Sequence, residues 1–320
     1  MKHIGGFFGL ELTYGDFQYH PNALALSTGR ACINLLLKEL KPSKVYVPYY
    51  TCNATYEPFA INGVATEYYE IDELLFPKQL PELKQNEYFF YTNYFGVKKN
   101  HVAKLLEIFG ERLIIDDTHS FFGKGYASNW SFTSARKYFG VPDGAYLYSP
   151  LKISESFERF KQISVEHNVN RLIGNQALAY EQYVAYEKTL TSEINAISLY
   201  SEMVLSHIDY NEVMEKRKRN FRFYLKELGH INQLKDITET GDVPFCYPFL
   251  PPSAIERKLF FENQVYIPSY WMDTLERNIP GFEFEKKLSS NMLPLIIDHR
   301  YEPADLERIV TLINKHLYGK

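Results

Sequence analysis

Arg112-Leu113-Ile114-Ile115-Asp116-Asp117-Thr118-His119-Ser120 is a short apolar run that stops in two acids and an imidazole. A run of strand length without polar alternation reads as a strand buried on both faces, the kind found in parallel sheets covered by helices. The surrounding sequence agrees. Lys44–Pro48, Ala65–Ile71, Tyr88–Tyr94 and Gly144–Tyr148 read as further strands. Between them, Arg30–Leu40 places Ile33, Leu36, Leu37 and Leu40 on one helical face, and Asn53–Ile61 and His101–Phe109 read as helices. Strands and helices in alternation predict an α/β domain with a largely parallel sheet.

Beyond this region the pattern changes. Residues 165–205 contain no Pro and a single Gly, and read as long helix. Glu212–Leu228 reads as a second helix, whose run Glu215-Lys216-Arg217-Lys218-Arg219 is expected to form a solvated face. Phe245–Leu250 and Met292–Ile297 read as strands, with Ser253–Asn263 and Pro303–Leu317 as helices. Leu306, Ile309, Val310 and Ile313 recur at helical spacing and are expected to cover a sheet. The division expected is 1–205 as a large α/β domain and 206–320 as a smaller α+β domain.

Composition narrows the function classes. The 320 residues are 45% hydrophobic and 23% charged, an ordinary globular balance rather than a disordered one. A net charge of −4 gives no general attraction to nucleic acid or to anionic lipid. No apolar run approaches the ~18 residues that span a bilayer. The start, Met1–Phe8, lacks the pattern of a signal peptide. Cys32, Cys52 and Cys246 are scattered and odd in number, so no disulfide framework or metal-ligand spacing is expected. A cytoplasmic setting fits best, with no metal, no nucleic acid and no membrane partner. The 26 Tyr and 23 Phe point to a wet core and to interfaces.

In open α/β sheets, ligands bind outside the carboxyl ends of the strands. Three pieces of sequence stand at such ends. Ser27-Thr28-Gly29-Arg30 precedes a helix, where free amides can hold a phosphate or Thr28 can serve as a plain N-cap. Asp116, Asp117 and His119 end a strand, as chemistry or as turn caps. Ser134-Ala135-Arg136-Lys137 is followed by a turn through Pro142-Asp143-Gly144, and its lysine taken alone is a surface charge.

The order of the three pieces resembles the fold-type-I pyridoxal-phosphate (PLP) enzymes, and within them the DegT/DnrJ/EryC1/StrS family of sugar aminotransferases. Ser27-Thr28-Gly29-Arg30-Ala31 stands where that family has Ser-Gly-Thr-Ala-Ala, and Val47-Pro48-Tyr49-Tyr50-Thr51-Cys52-Asn53-Ala54-Thr55 where it has Val-Pro-x-x-Thr-x-x-Ala-Thr. Ile115-Asp116-Asp117 matches its Ile-Glu-Asp, Lys137 to Gly144 its Lys-Asn-Leu…Gly-Asp-Gly, and Leu293-Pro294-Leu295 with Tyr301–Leu306 its terminal strand and helix.

The resemblance implies an aspartate-aminotransferase-like large domain plus a small C-terminal α+β domain, with PLP as cofactor. Lys137 would carry the cofactor and shuttle protons, and Asp117 would face the pyridine nitrogen. Gly29, Arg30 and Ser134 would hold the phosphate, while Cys52, Asn53 and His119 would lie about the ring. The implied reaction moves an amino group from an amino acid, glutamate by preference, to a nucleotide-linked keto sugar. The implied assembly is a homodimer with shared sites, reached through Asn168–Leu172. The sequence also departs from the family pattern. Arg30 replaces a Thr, Phe132 a phosphate-binding Ser, and Cys52 a ring-stacking aromatic. These departures leave room for a non-catalytic relative that keeps the fold for binding or regulation.

Overall fold

The computed structural model describes residues 4–15 and 17–319; residues 1–3 and 16, on which part of the signal-peptide reading falls, and residue 320 lie outside the described residues. The strands of the first half are β1 (Leu24–Leu26), β2 (Lys44–Pro48), β3 (Ala65–Tyr69), β4 (Glu87–Thr92), β5 (Leu113–Asp116), β6 (Ser131–Ser134) and β7 (Ala145–Tyr148). They form one sheet in the order β1-β7-β6-β5-β4-β2-β3. The pairs β2/β3, β2/β4, β4/β5 and β5/β6 are parallel. Only β7 runs against its neighbours β6 and β1. The carboxyl ends of β1, β2, β4, β5 and β6 therefore share one edge, which brings Ser27–Gly29, Tyr49–Cys52, Asn93, Asp116–His119 and Ser134–Lys137 to the same side of the molecule.

Helices cover the sheet because its central strands β2, β4 and β5 are buried on both faces. α1 (Gly29–Leu40) and α2 (Asn53–Ile61) pack one face, and α1 buries Ala31, Ile33, Leu36 and Leu37 against β1, β6 and β7 residues such as Leu26, Phe132 and Leu147. α3 (Lys99–Phe109) lies on the other, with Val102 and Leu105 in a core that holds Phe89, Tyr91, Leu113 and Ile115.

The expected long helix over 165–205 is not continuous. It divides into α4 (Glu166–Leu172), α5 (Gln176–Glu187) and α6 (Leu199–Leu205). Gly174 breaks it first, at φ +90°, a conformation costly for other residues. Residues 188–198 then leave the helix to bridge the sheet, where Asn195 accepts from the Ser27 amide at 2.9 Å and Ala196 pairs with Leu26. Satisfying the exposed edge of β1 outweighs the helical propensity of the segment.

α7 (Tyr210–Leu228) opens the C-terminal part, followed by β8 (Tyr247–Phe249), α8 (Arg257–Glu262), α9 (Asp273–Glu276), α10 (Glu283–Asn291), β9 (Leu293–Leu295) and α11 (Pro303–Tyr318). β8 and β9 form an antiparallel pair. Leu306, Ile309, Val310 and Ile313 of α11 are buried as expected. The solvated face expected for Glu215–Arg219 requires a correction. Lys216 and Arg219 reach Glu302 at the surface, but Arg217 is only 2% exposed. It occupies the stripe Tyr210, Val213, Arg217, Phe221, Tyr224, Leu228, all of them buried, so its position in the helix and not its charge decides its burial. Among the described residues no helix is long and apolar enough to cross a membrane.

Candidate active site

β5 ends where its last peptide groups pair with β6, and the Asp117 amide donates to the Phe132 carbonyl at 2.9 Å. Asp116 and Asp117 are each 4% exposed and leave the strand in different directions. Asp116 accepts from the Thr118 amide at 2.9 Å and from the Thr92 hydroxyl at 3.4 Å. Burial pushes its carboxyl up, while hydrogen bonds with Thr118 and the nearby Lys137 ammonium oppose that shift. Asp117 accepts from Asn93 Nδ2 at 2.8 Å. Burial, with the adjacent Asp116 charge, raises its carboxyl to about 7 although Asn93 and Tyr126 donate to it.

β6 ends in a single 3-10 turn, Ala135–Lys137, that turns its two cations apart. Arg136 forms an ion pair with Glu187 of α5. Lys137 is exposed and lines the cleft between this turn and α5. The turn returns to β7 through Asp143 and Gly144. Asp143 accepts from the Ser198 amide at 2.7 Å and the Ser198 hydroxyl at 2.5 Å, which caps α6. Gly144, at φ +122°, already places the position a Cβ would take 2.9 Å from Ile197, so a side chain there would displace α6's approach.

The N-terminus of α1 lies at the same edge. Thr28 acts as its cap: the hydroxyl accepts from the Ala31 amide at 3.0 Å and donates to the Thr191 carbonyl at 3.2 Å. The first amides of a helix, here Gly29 and Arg30, have no intrahelical partner. A Cβ on Gly29 would meet the Thr118 methyl at 3.6 Å and the Phe132 ring at 3.8 Å, so this flank is apolar. The Arg30 guanidinium is committed to Glu57 at 2.9 Å. Ser134, the last residue of β6, is buried beside this edge.

Cys52 is half-buried and provides no side-chain cap for α2. Asp273, far along the chain, does so instead, accepting from the Asn53 amide at 2.6 Å. Arg277 completes the latch, donating to the Thr51 carbonyl at 2.6 Å and to Asn53 Oδ1 at 2.8 Å. It also donates to the Tyr49 carbonyl and lies 4.6 Å over the Tyr56 ring. Arg277→Ala is expected to free the Tyr49–Asn53 loop and cost about 2 kcal/mol, the scale for hydrogen bonds from a charged donor. Chemical denaturation measures this, and an unchanged midpoint would show that the Asp273 bond and the stacking of Tyr49 on Phe282, at 4.0 Å between rings, hold the loop without Arg277.

His119 is 1% exposed and stacks with its plane nearly parallel to three other rings: Phe245 at 4.4 Å, Trp271 at 5.6 Å and Phe95 at 5.8 Å. Burial holds it well below the usual imidazole range, so it is neutral, and its Nδ1 is buried without a partner. Gly96 permits this packing. Its φ is +69°, and a Cβ there would fall 2.2 Å from the His119 carbonyl.

Of the residues expected at the site, Asp117, His119, Ser134 and Lys137 thus come from the adjoining ends of β5 and β6, Gly29 and Arg30 from the β1 end across β7, and Cys52 and Asn53 from the β2 end across β4. Arg30 and Asn53 are engaged by Glu57 and Arg277, and His119 lies within an aromatic stack. Sequence reasoning missed Asn93, Arg277 and the cleft-lining Arg217. Asn93 could have been found by applying the strand-end rule to β4 as well, and Arg217 by its place on an apolar stripe. Nothing local in the sequence signals Arg277. Asn168 and Asn170, expected to reach a second subunit, are bonded within this chain, to the Gly140 carbonyl at 2.6 Å and to Gln182 at 2.9 Å.

The sheet order and its covering helices give an α/β fold shared with solved aminotransferase structures. Several of the solved structures that share it are described as sugar aminotransferases. The chain aligns with sugar aminotransferase CalS13 from Micromonospora echinospora at TM-score 0.65 and 14% identity, over 92% of this chain and 88% of that one. A DegT DnrJ EryC1 StrS aminotransferase from Brucella abortus gives 0.60 and 16%, over 93% and 86%. The PLP form of the sugar aminotransferase Spr1654 from Streptococcus pneumoniae, described as putative, gives 0.63 and 12%, over 92% and 88%. No protein-family model matches the chain, and no curated protein matches it.

Proposed function

We propose that this protein is a PLP-dependent aminotransferase that moves an amino group from an amino acid, glutamate by preference, to a nucleotide-linked keto sugar. The observation that carries this reading is the pairing at adjoining strand ends: exposed Lys137 beyond β6, and the buried Asp116–Asp117 pair at the end of β5. The residues fit the cofactor by charge. Asp117 is a buried carboxylate held near 7, with no cation among its principal neighbours, and a protonated pyridine nitrogen is the partner such a group lacks. When bound, PLP supplies the electron sink that makes a substrate α-proton removable. Lys137 would anchor it and carry that proton at Nζ, Asp117 would hold a proton at the ring nitrogen, and the Gly29 and Arg30 amides would face the phosphate. Residues 1–205 are read as the PLP-binding domain and 206–320 as the smaller one, and the cytoplasm as their setting.

The absorption spectrum tests this reading. A visible band from lysine-bound PLP that bleaches with glutamate is the expected result. The apolar flank of Gly29 and the Arg30–Glu57 pair favour one rival, a non-catalytic relative that keeps the fold for binding. A band that no amino donor bleaches, or no band at all, would select that rival.

The assembly read here is a homodimer with shared sites. α4 and α5 expose a run of large apolar side chains, with Leu172 86%, Ile173 65% and Tyr180 66% exposed. Such a patch marks an interface, and a two-fold axis lets it cover itself. Light scattering should return about twice 37.5 kDa. The double variant Leu172→Asp, Ile173→Asp should return the single chain mass, and a native chain that is monomeric at dilute concentration contradicts the assembly.

A further inference from the structure

Asn93 and Asp117 stand at the ends of neighbouring strands, β4 and β5, and both are buried. A carboxamide can turn either a donor or an acceptor toward a carboxyl group, and the two choices favour opposite charge states. Here the backbone makes the choice. Asn93 Oδ1 accepts from the Lys98 amide at 3.0 Å, which leaves Nδ2 to donate to Asp117 Oδ1 at 2.8 Å. The Asn93 amide also donates to the Asp116 carbonyl at 2.9 Å and ties the residue's backbone to β5. Asn93 therefore offers Asp117 a donor and nothing else.

The turn that brings the Lys98 amide to Asn93 is strained. Phe95 has φ 58° and ψ 11°, a left-handed conformation that a bulky side chain rarely adopts, and Gly96 follows at φ 69°. Such a residue persists where its surroundings over-determine it, and strain of this kind clusters at functional sites. The Phe95 ring is fully buried, and its carbonyl accepts from the Phe245 amide at 2.9 Å. Lys98 is 1% exposed and donates from Nζ to the Asp236 carbonyl at 2.8 Å. The C-terminal part of the chain thus clamps the turn from two points. What the clamp secures at the sheet edge is a fixed donor for Asp117. Burial and the charges of Asp116 and Asp242 oppose ionisation of that carboxyl, and Tyr126 supplies its second donor.

We propose that Asn93 is a positioning residue: locked by the turn 93–98, it holds the Asp117 carboxylate ionised and in one orientation for the cofactor's ring nitrogen. Its use in amino transfer rests on the reading of Asp117 given above. Its hold on the charge of Asp117 does not.

Thermal denaturation of the full chain, freed of PLP and followed across pH, tests the hold. Subtracting the Tm of an Asp117→Asn chain from that of its Asp117 parent isolates the one carboxyl. A pKa raised on folding makes that difference fall with rising pH until the folded-state value is passed. With Asn93 in place the fall should level off near pH 7. In Asn93→Ala the carboxylate loses a donor and its folded pKa rises further. The fall should then continue for at least about one more pH unit, a tenfold change in proton affinity. A residue that only braced the turn would lower Tm equally at every pH and in both backgrounds, so superimposable difference curves overturn the proposal. Asn93→Ser keeps an acceptor at the turn but is too short to reach Asp117, and it carries the same expectation should Asn93→Ala fail to fold. The two readings fail separately. The shift in a chain that shows no PLP band supports the hold and removes the cofactor, whereas a PLP band without the shift overturns the hold and leaves the reading of Asp117 standing.

Discussion

Lys137→Ala should abolish covalent retention of PLP and reduce amino transfer by at least roughly 10³-fold, since both the anchoring nucleophile and the proton carrier are lost together. The fold should not notice. Lys137 is exposed and makes no salt bridge among the described residues, so its truncation falls among surface changes of about 0.5 kcal/mol or less. The neighbouring cation cannot take over, because Arg136 is turned away and paired with Glu187. Borohydride reduction of the wild-type protein with PLP, followed by peptide mapping, reads the assignment directly. Label on any other lysine would remove Lys137 from the centre of the mechanism.

The fold and the strand-end part of the candidate site were legible in the sequence for the same reason. A parallel strand buried on both faces must be an unbroken apolar run, and whatever follows it must sit at the sheet edge where ligands bind. Leu113–Asp116 obeys this, and its position locates Asp117 without further knowledge. Ser131–Ser134 obeys it less well, being half hydroxyl. Its pattern does not read as a strand, yet β6 is what sets Lys137 beside β5. Contacts distant in sequence were not legible. Arg277 reaches Asn53 and Thr51 across more than two hundred residues, and no local pattern encodes that. Arg217 is an intermediate case. The charge run around it suggests a wet surface, whereas the spacing from Tyr210 to Leu228 places it inward, and the spacing prevails because an α-helix fixes which residues share a face. The long helix expected over 165–205 failed where one glycine and the unpaired edge of β1 outweighed propensity.

Asp117→Asn should move activity and stability in opposite directions. Its charge is unfavourable to the folded chain alone. The carboxyl titrates at 3.8 when unfolded and at about 7 when folded, because burial and Asp116 oppose ionisation. A pKa raised on folding means that the group's contribution to stability is full below 3.8 and is lost as pH rises through 7. Without PLP, the wild-type Tm should therefore fall across that window, and the Asn variant should fall less. At pH 8 the variant should be the more stable by a few kcal/mol at most, the scale of a shift of about three units. Asn at 117 can still accept from Asn93, so the local geometry survives. Catalysis should suffer. A neutral amide cannot hold the ring nitrogen protonated, and removal of the substrate α-proton should slow by roughly 10²-fold or more. Thermal denaturation across pH, paired with single-turnover loss of the PLP band on adding glutamate, gives both readouts on one pair of proteins. A variant that is stabilised and slow identifies a carboxylate kept at a cost to the fold for the sake of its chemistry. One that is stabilised but turns over at wild-type speed would transfer the role to Asp116, which shares the strand end and feels the Lys137 charge.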